Sequence, residues 1–61
     1  MNDLRDFTYE ELLAEIAALG ERPYRAEQIF KWVFFRRAVS IDQMTDISKA
    51  FRERLKEEYA I

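Results

Sequence analysis

Apolar side chains along this chain recur at intervals of three and four, not two. Leu12, Ile16 and Leu19, with Leu13 beside them, form one stripe, the pattern of an amphipathic helix. Thr8 fits its N-cap and Glu11 sits three residues on, which makes a capping box. Phe7 and Leu12 stand at hydrophobic-staple positions. Glu10 and Glu11 suit the positive end of the helix dipole, and Gly20 stands where a left-handed C-terminal residue is wanted. Pro23 pushes Arg22 out of the helical region and opens a second helix, predicted from about Tyr24 to Arg37. Ala26, Ile29, Phe30, Val33 and Phe34 form its buried face. At about 100° per residue, Trp32 falls off that stripe, on a flank between Arg25 and Arg36, and Phe35 also lies off it. Ser40 can cap a short turn from Ile41 to Met44, with Gln43 in the box position. A last helix is predicted from about Ser48 to Tyr59, with Phe51 and Leu55 inward, Ile47 at its entry and a solvated charged face.

The fold class is therefore all-α: one compact domain of three main helices and a short turn, over residues 7–61, with residues 1–6 expected to be flexible. Phe30, Phe34 and Phe51 are expected in the core. A chain of 61 residues allows one domain, burying roughly 60% of its unfolded surface. One glycine and one proline disfavour a small all-β fold, which needs frequent turns.

Composition narrows the chemistry. There is no cysteine and no histidine, which excludes a disulfide scaffold, a thiolate metal site, a cysteine nucleophile and the commonest general base. The carboxylates look like caps and surface groups; Asp42 and Asp46 straddle a helix break. No apolar run is long enough to span a membrane, and the N-terminus lacks a signal-peptide pattern. A cytoplasmic location is the default, and an autonomous enzyme is not expected.

Charge is uneven. Residues 1–20 carry one base and five acids, residues 21–40 five bases and two acids, and residues 41–61 four bases and five acids. A basic middle lies between acidic ends, within a net charge of −2. Two readings are open for it. The N-terminus of the second helix, reinforced by Arg22 and Arg25, suits a phosphate, and Trp32 between arginines could stack a base. Alternatively Arg25 pairs with Glu21 or Glu10, Trp32 packs against a neighbour, and Arg36 and Arg37 serve the helix C-terminus.

The run Leu19-Gly20-Glu21-Arg22-Pro23-Tyr24-Arg25-Ala26-Glu27-Gln28-Ile29-Phe30-Lys31-Trp32 resembles the start of the radical-SAM adenine-C2 RNA methyltransferases, dual-specificity enzymes of 23S rRNA and tRNA. The chloramphenicol–florfenicol resistance methyltransferase is a relative. The resemblance continues through Met44-Thr45-Asp46-Ile47-Ser48-Lys49-Ala50-Phe51-Arg52-Glu53-Arg54-Leu55, and covers the chain from Phe7 onward. Ser48 stands where the family often has Pro, and Phe51 where it often has Leu.

The resemblance implies an accessory domain, similar to helix–hairpin–helix modules, that helps to recognise RNA beside a catalytic barrel expected downstream. In the family that barrel carries a Cys-x-x-x-Cys-x-x-Cys motif for a 4Fe–4S cluster and uses S-adenosylmethionine; no catalytic residue carries over to these residues, and no cofactor is expected here. The matching residues that could touch RNA are Arg22, Arg25, Lys31, Trp32, Arg36 and Arg37. The expected partners are 23S rRNA, tRNA and the downstream catalytic domain, with no membrane and with the chain a monomer. The alternative is a docking module whose aromatic flank, Trp32 and Phe35, packs on the barrel without touching RNA.

Overall fold

A computed structural model describes residues 2–61. Helix α1, Tyr9–Ala18, begins and ends as its sequence dictates. The Thr8 hydroxyl accepts from the Glu11 backbone N–H at 3.1 Å, and the Glu11 carboxylate accepts from the Thr8 N–H at 2.8 Å. This reciprocal box satisfies two donors that a helix start leaves unpaired. At the other end Gly20 takes a φ of 79°. The N–H of Glu21 then reaches the Ile16 carbonyl at 3.1 Å, and that of Gly20 reaches Ala17 at 2.9 Å. These two bonds form a Schellman motif.

Helix α2, Pro23–Phe30, starts at once. The α-helix then stops short of its predicted end. Lys31–Phe35 form a π-helical turn, closed by a bond from the Arg36 N–H to the Lys31 carbonyl at 2.9 Å. One residue more per turn rotates everything beyond it away from the α-helical stripe. Ala26, Ile29 and Val33 remain buried, but Phe34 is 38% exposed and Phe35 70%. The expectation that Phe34 belongs to the core is thus corrected: its ring leans on Phe30 at 4.6 Å between centroids, outside the core. Arg37 follows in the left-handed region, with a φ of 54°, and lets Ala38 turn back to the Trp32 carbonyl at 2.9 Å.

A 3₁₀ turn, Ile41–Gln43, and helix α3, Lys49–Glu58, complete the helical part. The Ser48 hydroxyl caps α3 through the Phe51 N–H at 3.2 Å. Ser40 makes no such cap; Gln43 instead reaches back to the Val39 N–H at 2.7 Å. The face of α3 expected to be wholly solvated is partly tied down. Arg54 donates to the Leu19 carbonyl at 2.8 Å and Arg52 to the Met44 carbonyl at 3.1 Å, while Lys56 bridges Asp42 and Glu53.

The domain is all-α apart from two short strands. Asn2–Asp3 (β1) pairs in parallel with Tyr59–Ala60 (β2), Asn2 opposite Tyr59. Residues 2–6, expected to be flexible, are here placed in a strand and a 3₁₀ turn; Met1 lies outside the described residues. Asp3 caps a 3₁₀ turn, Leu4–Asp6, and takes a two-pronged grip from the Arg5 guanidinium, which holds the Asp3 carboxyl below its ordinary range. Leu4 is only 1% exposed. It joins Leu12, Ile16, Ile29, Met44, Ile47 and Leu55 in one core. Over these ends Phe7 meets the Tyr59 ring edge-on at 5.9 Å, and the Tyr59 hydroxyl donates to Glu15.

Three outcomes follow from this packing. Leu4→Ala should cost about 2–5 kcal/mol, a large share of what so small a domain has, read by urea unfolding. A change near zero would mean that the N-terminus is not part of the core. Gly20→Ala meets open space, with no atom within 4 Å, so its cost is backbone alone, about 1–2 kcal/mol. Burial, the bond to Glu15 and the nearby carboxylates of Glu15 and Glu58 push the Tyr59 phenol well above its usual range. The folded state therefore holds this proton after the unfolded chain has lost it. Stability should be complete below about pH 10 and fall above it, and Tyr59→Phe should flatten that alkaline decline in thermal melts.

Candidate nucleic-acid interface

The buried stripe of α2 fixes what faces outward. With Ala26, Ile29 and Val33 turned in, Tyr24, Gln28, Lys31 and Trp32 fall on the opposite side. They line one open cleft together with Glu27, Arg36 and Asp46. Its far wall is the turn before α3, anchored by Met44 and Ile47, both buried. The Arg52 bond to the Met44 carbonyl and the Ile47 N–H bond to the same carbonyl, at 3.0 Å, hold that turn in place.

Asp46 projects from it and accepts from the Trp32 indole N–H at 2.7 Å. The indole is half-buried, its polar edge satisfied, and the Arg36 guanidinium lies over its ring at 4.3 Å. Such a stack is worth about 0.5–1 kcal/mol at an exposed site. One edge of Trp32 thus packs on the neighbouring turn, while the rest of the ring borders the cleft.

Of the six residues named as candidates, the structure brings Lys31, Trp32 and Arg36 together. Arg25 borders them and is occupied internally. Its guanidinium donates to Gln28 at 2.9 Å, pairs with Glu21 at 3.9 Å and lies over the Tyr24 ring at 4.7 Å. Glu21 also takes Arg54, and Gln28 donates on to the Asp46 carbonyl at 3.4 Å. A polar chain thus runs from α3 through the Gly20 turn to the cleft. Arg25 lies in the middle of this chain. Lys31 is paired with Glu27 at 3.0 Å. Arg22 is exposed at the start of α2 and makes no side-chain cap. Arg37 lies elsewhere, in a hollow with Arg5, Val39 and Ile61.

Asp46 is the residue that sequence reasoning missed. It reads as a surface carboxylate because its partner is 14 residues away, and only its place in the Met44-Thr45-Asp46 motif set it apart. A second outward surface is aromatic. Phe30 is met by Tyr9 at 5.4 Å and by Phe35 at 6.0 Å, besides Phe34.

The profile of the ribosomal RNA large subunit methyltransferase N-terminal domain matches residues 2–61. The chain belongs to this family. It is 48% identical over its whole length to a probable dual-specificity RNA methyltransferase RlmN of Thermotoga sp. (strain RQ2), and 49% identical over 90% of its length to a dual-specificity RNA methyltransferase RlmN of Anaeromyxobacter dehalogenans. It spans 18% and 15% of those relatives' lengths. A crystal structure of a radical SAM methyltransferase from Sphaerobacter thermophilus superposes with a TM-score of 0.90 at 39% identity, over 97% of this chain and 17% of that one.

Radical SAM chemistry implies S-adenosylmethionine and a 4Fe–4S cluster. The residues here do not fit that cluster, since the chain has no cysteine and the described residues hold no group of three His, Cys, Asp or Glu side chains able to bind a metal. Nor is any described helix long and apolar enough to cross a membrane.

Asp46→Ala should remove the indole bond and loosen the Arg36 stack. The expected loss is about 1 kcal/mol by urea unfolding, with a shift in the emission of Trp32, the sole tryptophan. Unchanged emission would mean that Asp46 does not hold the ring.

Proposed function

We propose that this chain is the RNA-recognition domain of a radical SAM methyltransferase that methylates C2 of adenine in 23S rRNA and tRNA, with the chemistry carried out by a catalytic domain elsewhere in the full protein. The family and the dual-specificity names of its relatives support the enzyme and substrate class. The observation that carries the role of this part is the convergence of Lys31, Trp32 and Arg36 on one open cleft. Cations beside an aromatic face suit single-stranded or looped RNA, where charge holds the backbone and rings take the bases. Arg22 at the start of α2 and Arg36 at the end of the π-turn place one cation at each end of this helical segment, and neither has an ion-pair partner among the described residues.

A second reading concerns the aromatic surface of Tyr9, Phe30, Phe34 and Phe35. With Phe35 70% exposed, this surface suits packing against the catalytic domain, the docking role that RNA contact at the cleft leaves open. The two roles use different faces and are compatible.

Binding of fluorescently labelled rRNA hairpins and tRNA stem–loops by this chain, followed by anisotropy across a salt series, tests the RNA role. Affinity should fall with salt. Replacing Arg22 and Arg36 together with Ala should weaken all the RNAs alike and lower the salt slope by about 2. Affinity indifferent to salt and to both substitutions would overturn the role.

A further inference from the structure

Away from the RNA cleft, Val39 and Ile61 border two hollows. Arg5 and Arg37 are the charged side chains of one, Asp42 and Lys56 those of the other. Two of these three cations are already neutralised. Arg5 donates to Asp3 at 2.7 Å, and Lys56 to Asp42 at 3.0 Å. Arg37 is exposed, and its side chain makes no ion pair or hydrogen bond among the described residues. Its hollow is lined by no carboxylate side chain; the other walls are Val33, Ala38, Val39 and Ile61. What is left over is one free cation beside an apolar surface.

The backbone of Arg37 adds to this. Among the described residues it is the one non-glycine with a positive φ, 54°, a conformation that glycine takes with less strain. Ending the helix does not require an arginine side chain. Val39, two residues on, is the most exposed of the large hydrophobic residues, at 77%. Ile61 packs against the core at the rim of both hollows. This is an N-terminal domain in its family, and it matches 18% of the Thermotoga relative's length, so the relative's polypeptide runs on from the position of Ile61. An apolar surface with a single free cation suits a polypeptide better than an RNA backbone, whose phosphates would meet Val39 and Ile61. We propose that the segment following Ile61 in the full protein crosses this hollow, laying an apolar side chain on Val39 and a carboxylate on the Arg37 guanidinium. Such a contact would fix the angle between this domain and the catalytic domain. The proposal rests on the reading that a catalytic domain is joined to this one, and not on RNA recognition.

Amide hydrogen exchange, read by mass spectrometry, compares the full protein with the 61-residue chain. Residues 37–41 should exchange at least about tenfold more slowly in the full protein, while residues 50–56 of α3 exchange alike in both. In the full protein Arg37→Gly, which suits the backbone and removes the cation, should return residues 37–41 to the faster rate. Arg37→Lys, which keeps the charge, should retain most of the protection. In the 61-residue chain Arg37→Gly should melt no lower than the wild type, which separates loss of docking from loss of fold. The wild-type comparison decides the point even if a variant fails to fold. Equal exchange of residues 37–41 in both proteins, or protection that survives Arg37→Gly, would overturn the proposal. So would a lower salt slope of RNA binding by the 61-residue chain carrying Arg37→Gly, which would assign the hollow to a phosphate instead. Protection present in the full protein while neither protein binds RNA would leave this proposal standing and overturn RNA recognition alone.

Discussion

The structure depends on the narrow buried stripe of α2. Ala26, Ile29 and Val33 are the only side chains between Pro23 and Phe35 that are fully inside, and they pack where α1 contributes Leu12 and Ile16. A stripe of three residues pins the helix in rotation and leaves most of its circumference outside. Trp32 and the aromatic group around Phe30 therefore come to lie on separate faces of one short helical segment. The π-turn sharpens this division. By adding a residue where the helix would otherwise continue, it moves Phe34 out of the stripe, brings Arg36 back over Trp32 and spends the left-handed conformation of Arg37 to end the helix. Backbone strain of this kind costs of order 1–3 kcal/mol and persists where surrounding structure imposes it.

Stability of so small a core rests on closing its ends. Two residues of parallel pairing, Leu4 in the core and the Phe7–Tyr59 contact join the N-terminus to the end of α3. The Arg54 bond to the Leu19 carbonyl does the same for the α1–α2 turn. These ties are few, and the core is small enough that each one matters. The cleft inherits its geometry from them, because the wall that carries Asp46 sits between two buried anchors, Met44 and Ile47, and reaches α2 through Gln28 and Trp32.

What the sequence made legible was local. The Thr8–Glu11 box and Gly20 as the left-handed residue after α1 are set by residues within four positions of one another, and both are present. The apolar stripe of α2 was legible up to Val33 and failed at Phe34, because periodicity assumes an α-helical turn and nothing in Lys31–Phe35 announces a wider one. The rest that was missed joins distant positions: β1 to β2, Arg54 to Leu19, and Asp46 to Trp32. Single-sequence patterns carry no information on such pairs. For the site, the basic and aromatic character of the second helix was legible. The engagement of Arg25 in a polar chain, the pairing of Lys31 with Glu27 and the bond from Trp32 to Asp46 were not, since each depends on which neighbours the fold supplies.

The central claim is that the cleft between α2 and the Asp46 turn is where this domain meets RNA. The most direct measurement is a two-dimensional NMR titration of the ¹⁵N-labelled chain with an unlabelled rRNA hairpin. The account predicts shifts confined to the backbone amides of Arg22, Tyr24, Gln28, Lys31, Arg36 and Asp46 and to the Trp32 indole N–H, with Tyr9, Phe34 and Phe35 unmoved. Shifts centred on that aromatic group, or a spectrum unchanged at saturating RNA, would contradict it.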